Sequence, residues 1–193
     1  AGAGGKTLAI AAQMQNKGKI FACDVLQGRV DRAAVRFQRA GVYNVERKGL
    51  SSERDPWVKR HAGDFDRVLV DAPCTGTGTW RRNPDAKWKL TPTDLDELTQ
   101  VQRNILDSAW RLVKPGGRLI YATCSLLREE NEAQIEAFLS SHADFKLVPL
   151  PQVWADALGG TPPVAGDTLS LTPARNGTDG FFTAVLEREK PAS

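Results

Sequence analysis

Cysteine and histidine are both scarce in this sequence. The chain of 193 residues has three cysteines, Cys23, Cys74 and Cys124, and only two histidines. The cysteines are odd in number and widely spaced, and they form no C-x-x-C pair, which argues against a disulfide framework and against a zinc site. We therefore expect no metal. The pattern favours a reducing, cytoplasmic compartment, in which free thiols are available for chemistry.

Long hydrophobic runs are absent as well. No apolar stretch approaches the roughly 18–20 residues needed to cross a bilayer, and the first residues, AGAG, lack the basic and apolar regions of a secretory leader. The net charge is small, because 26 basic residues are balanced by 23 acidic ones. With 41% hydrophobic residues the chain is too apolar to be disordered. Its length suits one domain over residues 1–193. We expect no membrane partner, and the oligomeric state stays open, with a monomer favoured.

Helix-like and strand-like hydrophobic patterns alternate along the chain. Apolar runs predict strands at residues 19–23, 42–46, 67–70, 118–122, 145–148 and 181–186. Helical spacing predicts helices at residues 4–15, 30–37, 92–112 and 129–141, with an irregular Gly- and Pro-rich stretch at 149–168. This alternation predicts an α/β protein with a mostly parallel, doubly wound sheet. No strand precedes the glycine-rich turn at Gly2, which indicates a fragment whose first strand is missing.

The clearest predicted helix begins at Thr91. This threonine is the expected cap, Pro92 the first helical residue and Asp94 the acidic third residue. Its buried stripe is predicted to comprise Leu95, Leu98, Val101, Ile105, Ala109 and Leu112. The segment Pro115–Gly117 is expected to end the helix before the next strand begins at Arg118.

The first seven residues, AGAGGKT, form a glycine-rich turn before a predicted helix. Glycine lets a ligand approach the backbone, and a helix N-terminus favours an anionic group. The end of the stretch, Gly5-Lys6-Thr7, also matches the end of a nucleotide phosphate loop. On these residues alone a nucleotide loop, a methyl-donor loop and a structural turn stay open. Asp24, which follows the next strand, either holds a ribose or caps a helix.

Two cysteines directly follow predicted strands. Cys74 lies in DAPCTGTGT at 71–79, where Asp71 ends the strand and Pro73 stiffens the turn. Cys124 lies in YATCS at 121–125, ahead of a helix whose N-terminus would favour a thiolate. The carboxyl ends of parallel strands share one edge of a sheet, so we expect both thiols and Asp71 at that edge. Two thiols there suggest a nucleophile and a helper.

The remaining polar candidates are simpler to interpret. A run of cations follows the first thiol motif, at Arg81, Arg82, Lys87 and Lys89. Such a run is typical either of a solvated loop or of a nucleic-acid contact. Cys23 lies in an apolar run and is predicted in the core, whereas His61 and His142 are isolated and are predicted on the surface.

Five motifs occur in order along the chain: AGAGGKT at 1–7, DAPCTGTGT at 71–79, RRNPD at 81–85, YATCS at 121–125 and GTDGFF at 177–182. Together they resemble the Nop/Sun family of RNA cytosine-5 methyltransferases, which includes bacterial ribosomal RNA enzymes. The resemblance implies a Rossmann-like class I methyltransferase fold, S-adenosylmethionine as cofactor, and RNA, with ribosomal RNA favoured, as partner. Family members often carry a separate N-terminal RNA-binding region, so it also implies that this chain is the catalytic domain alone.

The resemblance implies a role for each residue at the sheet edge. Cys124 is expected to add to C6 of cytosine, which enables C5 to attack the methyl group of the donor. Cys74 is expected to assist release of the methylated product. Asp71 is expected to hold the cytosine edge or the amino group of the methionine part of the donor.

Donor and RNA contacts are implied in the same way. The donor is expected to contact the glycine-rich turn and two residues beyond it: Gly2, Ala3, Gly4, Gly5, Lys6, Asp24 and Arg29. An acidic residue that the family places near the adenine has no match at residues 45–50. RNA is expected to contact the basic segment through phosphate contacts and base stacking: Trp80, Arg81, Arg82, Lys87, Trp88 and Lys89.

Three alternatives stay open on the sequence. DNA cytosine-5 methyltransferases use the cysteine of a Pro-Cys motif as nucleophile, which would exchange the roles of Cys74 and Cys124. The tripeptide Gly5-Lys6-Thr7 would by itself support a phosphate-loop NTPase, although both cysteine motifs would then be unexplained. A chain that lacks its first strand could also be a non-catalytic RNA-binding fragment.

Overall fold

The computed structural model describes residues 1–191, and these form an α/β protein, as the hydrophobic pattern predicts. The strands are β1 (Ile20–Asp24), β2 (Val45–Gly49), β3 (Phe65–Asp71), β4 (Val113–Thr123), β5 (Phe145–Leu147), β6 (Leu169–Leu171) and β7 (Phe181–Arg188). The α-helices are α1 (Gly5–Gln13), α2 (Gln27–Arg39), α3 (Pro56–Arg60), α4 (Ala86–Lys89), α5 (Pro92–Ala109), α6 (Glu132–Ser141), α7 (Leu150–Ala157) and α8 (Pro173–Asn176). Short 3-10 helices cover Thr77–Thr79, Trp110–Leu112 and Arg128–Glu130. Within residues 1–191, no helix is long and apolar enough to cross a membrane.

The chain forms two compact units, and the first comprises Ala1–Trp57. In this unit β1 and β2 pair in parallel along their whole length. The spacing predicted for α2 is confirmed, since Val30, Ala33 and Phe37 are buried. Gly4 has φ +84, and a Cβ there would approach the Phe37 ring to 2.7 Å, so glycine is required at this turn. The expectation of one domain over residues 1–193 stays a prediction.

The second unit starts at Val58 and contains the larger sheet, in the order β3-β4-β7-β5 with β6 beside β7. Strands β3 and β4 are parallel, whereas β7 is antiparallel to its three neighbours. The central strands contribute Leu119, Tyr121, Phe182 and Leu186 to the core, each 0% exposed. Burial of a large apolar side chain stabilises a fold by roughly 1.5–3 kcal/mol. The sheet is therefore the rigid frame of this unit, and β3 and β4 end at the same edge.

Helix α5 begins with the capping box that the sequence predicts. The Thr91 hydroxyl accepts a hydrogen bond from the Asp94 backbone N–H at 3.2 Å, and the Asp94 carboxylate accepts one from the Thr91 N–H at 2.8 Å. Hydrogen bonds from the Thr91 side chain and backbone lower the pKa of Asp94. Pro92 occupies the first turn, where no N–H partner is needed.

We expect Thr91→Ala to lower the free energy of unfolding by about 1 kcal/mol, because the cap hydroxyl is lost. Thr91→Ser keeps the hydroxyl and is the matched control. Urea denaturation followed by far-UV circular dichroism measures both variants. Equal stability of the alanine and serine variants would contradict the assigned cap.

The prediction that Pro115–Gly117 separates the helix from the next strand is wrong, because these residues lie inside β4. The strand begins at Val113 rather than at Arg118. Its register against β3 shifts between Phe65 and Arg67, and Gly116, the middle residue of the segment, has φ +77. A bulge of this kind accommodates proline and glycine within a strand.

Three further predictions, which rested on local composition and spacing, are wrong. Helix α7 lies in the stretch predicted to be irregular, since a proline in its first turn is compatible with a helix. His142, predicted on the surface, is half-buried, and its ring stacks on Phe138 with centroids 4.2 Å apart. Val101, predicted in the buried stripe of α5, is 42% exposed, and Gln102 is fully buried instead.

Candidate active site

The thiols of Cys74 and Cys124 lie together at the edge where β3 and β4 end. Their Sγ atoms are 3.4 Å apart, although 50 residues separate them in sequence. The Ala72 N–H donates to the Ala122 carbonyl at 2.9 Å, which extends the pairing of the two strands beyond Asp71. The two chain segments therefore leave the sheet side by side and bring both cysteines to one place. Neither thiol forms a disulfide, and both are half-buried.

The contact between the two thiols changes the acidity of Cys74. The hydrogen bond to Cys124 raises the pKa of Cys74 well above its usual range, and burial raises it further, whereas the backbone N–H groups of Gly76 and Cys124 lower it. The raised pKa favours the protonated form of Cys74. Either sulfur can donate the hydrogen bond between them. By contrast, Cys23 in the first unit is a thiol whose pKa is raised by burial to about 11.

A network of hydroxyl and amide groups holds the backbone around Cys124. Ser125 is 1% exposed, and its Oγ lies 3.1 Å from Oγ1 of Thr77. The Asn131 side-chain N–H donates to the Ser125 carbonyl at 2.9 Å, and its Oδ1 accepts the Thr123 hydroxyl at 2.5 Å. These bonds restrain the residues on both sides of Cys124, so its thiol has a defined position.

Two glycines allow a second chain segment to cross beside Cys124. The Gly78 N–H donates to the Cys124 carbonyl at 2.9 Å, and the Gly180 N–H donates to the Gly78 carbonyl at 2.8 Å. A Cβ on Gly78 would lie 2.6 Å from the Gly180 Cα, which is closer than real contacts allow. The motif GTDGFF at 177–182 thus contributes its second glycine to the support of the thiol pair.

Carboxyl groups lie both at this edge and behind it. Asp71 is the exposed last residue of β3, three positions before Cys74. Glu130 and Gln102 are fully buried beneath the Cys74 loop, and the sequence analysis did not identify them as part of the site. The available signal was a glutamine inside an apolar helical stripe, since a buried polar side chain implies a buried partner. Within residues 1–191, no group of three or more His, Cys, Asp or Glu side chains could hold a metal ion.

The glycine-rich turn and Asp24 lie together in the first unit. The Asp24 carboxylate accepts the N–H groups of Gly2 and Leu26, each at 2.9 Å. Burial opposes ionisation of Asp24, but these backbone hydrogen bonds and the nearby amino group of Ala1 together lower its pKa. A Cβ on Gly2 or Gly5 would meet open space among the described residues, so the turn presents accessible backbone beside the N-terminus of α1. The other predicted donor contacts are the exposed Ala3, Lys6 and Arg29 and the buried Gly4.

The basic segment, defined as residues 80–89, presents exposed cations and one exposed ring. Trp88 is 81% exposed, whereas Trp80 is half-buried. Lys87 Nζ lies 5.3 Å from the centroid of the Trp88 ring and 6.0 Å from that of the Trp80 ring. Arg81 and Lys89 are also exposed. Of the two tryptophans predicted to stack on bases, Trp88 has the more accessible ring.

Both arginines of the basic segment lie near the Asp179 carboxylate, Arg81 at 3.8 Å and Arg82 more closely. The Nε of Arg82 donates to this carboxylate at 2.6 Å, although 97 residues separate the two in sequence. This hydrogen bond and the charge of Asp179 raise the pKa of Arg82. An RNA phosphate at Arg82 would have to share the guanidinium with Asp179 or displace it.

Comparison with known proteins identifies relatives of this chain. A family model described as 16S rRNA methyltransferase RsmB/F matches residues 1–187. A probable ribosomal RNA small subunit methyltransferase B from Synechocystis sp. is 40% identical over 185 residues, which cover 96% of this chain and 41% of that protein. The chain spans about two fifths of the length of the curated relatives it matches.

Solved structures agree with the family match. The crystal structure of PH0851 has a TM-score of 0.85 and 43% identity, and the match covers 98% of this chain and 41% of that chain. The crystal structure of NSun6 from Pyrococcus horikoshii with SFG has a TM-score of 0.79 and 29% identity, and the match covers 98% of this chain and 46% of that chain. These similarities confirm the Rossmann-like methyltransferase fold that the motifs implied.

Proposed function

This chain belongs to the 16S rRNA methyltransferase RsmB/F family, and on that premise we propose that it transfers a methyl group from S-adenosylmethionine to C5 of a cytosine in RNA. The favoured substrate is ribosomal RNA. The observation that carries the proposal is the distance of 3.4 Å between the sulfurs of Cys74 and Cys124. Two thiols in contact suit a reaction in which one sulfur bonds to the base and the other helps it to leave.

The cofactor is S-adenosylmethionine, an analogue of which, SFG, is present in the structure of NSun6. The residues of the first unit fit this group. The N-terminus of α1 suits a carboxylate, the open backbone at Gly2 and Gly5 allows close approach, and the Asp24 carboxylate suits ribose hydroxyls. We assign Lys6 and Arg29 as the cations that face it. When bound, the cofactor supplies an electrophilic methyl group.

Cys124 is the proposed nucleophile. C5 of cytosine attacks an electrophile poorly until a thiolate adds to C6 and makes the ring electron-rich. The thiolate electron pair forms the S–C6 bond, and C5 becomes the carbon that attacks. The two sulfurs are 3.4 Å apart, so a thiolate at Cys124 can accept a hydrogen bond from the protonated thiol of Cys74. Asp71, at the same edge, is proposed to hold the cytosine edge.

Cys74 is the proposed helper in product release. After methylation, a base has to accept the C5 proton. The C5–H electron pair then forms the C5=C6 double bond, the S–C6 bond breaks, and its electron pair returns to the Cys124 sulfur. A thiol that donates a hydrogen bond to that sulfur stabilises the developing thiolate and makes it a better leaving group. The Sγ of Cys74 is in position to donate this bond.

The basic segment is the proposed RNA contact. Exposed cations at Arg81, Lys87 and Lys89 suit phosphate oxygens, and the exposed ring of Trp88 suits base stacking. The target cytosine has to leave its stack before C6 can reach a sulfur. RNA contact beside the thiols would hold the strand while the base is extruded.

We expect the protein to transfer a labelled methyl group from S-adenosylmethionine to 16S rRNA. After digestion of the RNA to nucleosides, the label should be found in 5-methylcytidine.

Asp24→Ala should weaken binding of S-adenosylmethionine by about 10- to 100-fold, because hydrogen bonds to a charged acceptor contribute roughly 1.5–3 kcal/mol. Isothermal titration calorimetry measures this loss. Asp31→Ala removes an exposed carboxylate of α2 and is the matched control.

The outcomes that oppose this function are distinct. Label in another nucleoside would contradict cytosine-5 chemistry while leaving methyl transfer intact. Binding of ATP without binding of S-adenosylmethionine would favour the phosphate-loop NTPase. RNA binding without any turnover would favour a non-catalytic RNA-binding chain.

A further inference from the structure

Glu130 is a fully buried acidic side chain that the proposed chemistry does not use. It is 0% exposed and lies in the 3-10 helix that follows Cys124. Its Oε1 accepts the Thr75 backbone N–H at 2.8 Å, and its Oε2 accepts the Thr75 hydroxyl at 2.5 Å. The carboxyl group therefore holds the residue that directly follows Cys74, across 55 residues of sequence.

Gln102 of α5 completes this contact from the other side of the cysteine. Its side-chain N–H group donates to Glu130 Oε1 at 3.0 Å and to the Pro73 carbonyl at 2.9 Å. Gln102 is also 0% exposed. The residues on both sides of Cys74 are thus attached to one buried pair of side chains, which we call the Glu130–Gln102 clamp.

The clamp is itself anchored to the central strand. The Tyr121 hydroxyl, buried in β4, donates to the Glu130 carbonyl at 2.7 Å. The next residue, Asn131, holds the carbonyl of Ser125 beside Cys124. Two adjacent residues, Glu130 and Asn131, therefore restrain the loops of both thiols, and the separation of the two sulfurs depends on them.

Burial of a carboxyl group is unfavourable unless hydrogen bonds compensate for the lost water. An apolar residue would fill this position without that penalty, but it could not hold Pro73 and Thr75 in one arrangement. We infer that Glu130 is a positioning residue for the release step, since the clamp holds the Cys74 thiol against the sulfur of Cys124. The inference rests on the proposed function, because it assigns Glu130 a part in the release that Cys74 assists.

The test compares covalent protein–RNA adducts after reaction with 16S rRNA and S-adenosylmethionine. Glu130→Ala should trap a denaturant-stable adduct, as Cys74→Ala should, and should slow multiple turnover by about 100-fold, since small misplacements of a reacting group have effects of that order. Glu130→Gln keeps one acceptor oxygen and the side-chain shape, so it should restore turnover and remove the adduct. Glu129→Ala removes the exposed neighbouring carboxyl and is the matched control.

Adduct accumulation separates positioning from mere loss of structure, because an unfolded protein forms no adduct. If Glu130→Ala fails to fold, Thr75→Ala removes only the hydroxyl partner and should trap adduct to a smaller extent. Trapping by Cys74→Ala but not by a folded Glu130→Ala or Thr75→Ala would overturn the positioning role alone. Absence of trapping in Cys74→Ala would instead remove its role in release, and this inference with it.

Discussion

Cys124→Ala is expected to abolish methyl transfer, whereas Cys74→Ala is expected to leave the protein covalently attached to its RNA. Loss of a covalent nucleophile lowers turnover by about 10,000-fold or more. Without Cys124 no S–C6 bond forms, so no adduct can accumulate. Without Cys74 the bond still forms, but the sulfur that leaves lacks the hydrogen bond that stabilises its charge. The two variants should therefore be equally inactive in steady state and opposite in adduct formation.

Denaturing gel electrophoresis of the protein with labelled 16S rRNA and S-adenosylmethionine measures both outcomes. Cys23→Ala is the matched control, because it removes a half-buried thiol of the first unit whose raised pKa keeps it protonated. Its turnover should stay within about twofold of the unmodified protein, as expected for a residue outside the reacting groups. Adduct with Cys124→Ala and none with Cys74→Ala would assign the nucleophile to Cys74, as in DNA cytosine-5 methyltransferases.

Gly78→Ala is expected to lower the free energy of unfolding by about 2–4 kcal/mol and to remove activity. The added Cβ would lie 2.6 Å from both the Cα and the carbonyl oxygen of Gly180 and 2.7 Å from the carbonyl oxygen of Cys124. These are backbone atoms within a hydrogen-bonded crossing, so they cannot move aside as the end of a flexible side chain can. Relief of the overlap would break the bonds that hold the Cys124 carbonyl and displace its thiol.

Chemical denaturation and the methyl-transfer assay together check this expectation. Gly28→Ala is the control, since this glycine lies in α2 and a Cβ there would meet only the end of the Arg32 side chain at 3.8 Å. In a helix the alanine should stabilise by about 0.5–1 kcal/mol. Normal stability and activity of Gly78→Ala would show that the crossing is not needed to support Cys124.

The meeting of Cys74 and Cys124 could be predicted because both residues follow strands. Apolar runs that end at Asp71 and shortly before Cys124 predict strands, and the carboxyl ends of parallel strands share an edge. The start of α5 could be predicted for a similar reason, since the cap at Thr91 involves residues three positions apart. Features that are encoded by residues close together in sequence could therefore be predicted from the sequence.

The features that were missed depend on contacts between distant segments. Glu130 is hydrogen-bonded to Thr75, which is 55 residues away in sequence, and Arg82 to Asp179, which is 97 residues away. Hydrophobic periodicity identifies which face of an element is buried, but it does not identify which polar groups meet inside. The same reason explains His142, which Phe138 partly covers, and the bulge that places Pro115–Gly117 inside a strand.

By itself, the sequence determined the family, the α/β class and the two thiols that stand at the centre of the proposal. Each of these is carried by a local motif or by a repeating hydrophobic pattern. Only the tertiary structure decided that the pKa of Cys74 is raised and what holds the two sulfurs 3.4 Å apart. Both depend on burial and on hydrogen bonds that arise once β3 and β4 pair and Glu130 packs beneath the loop of Cys74.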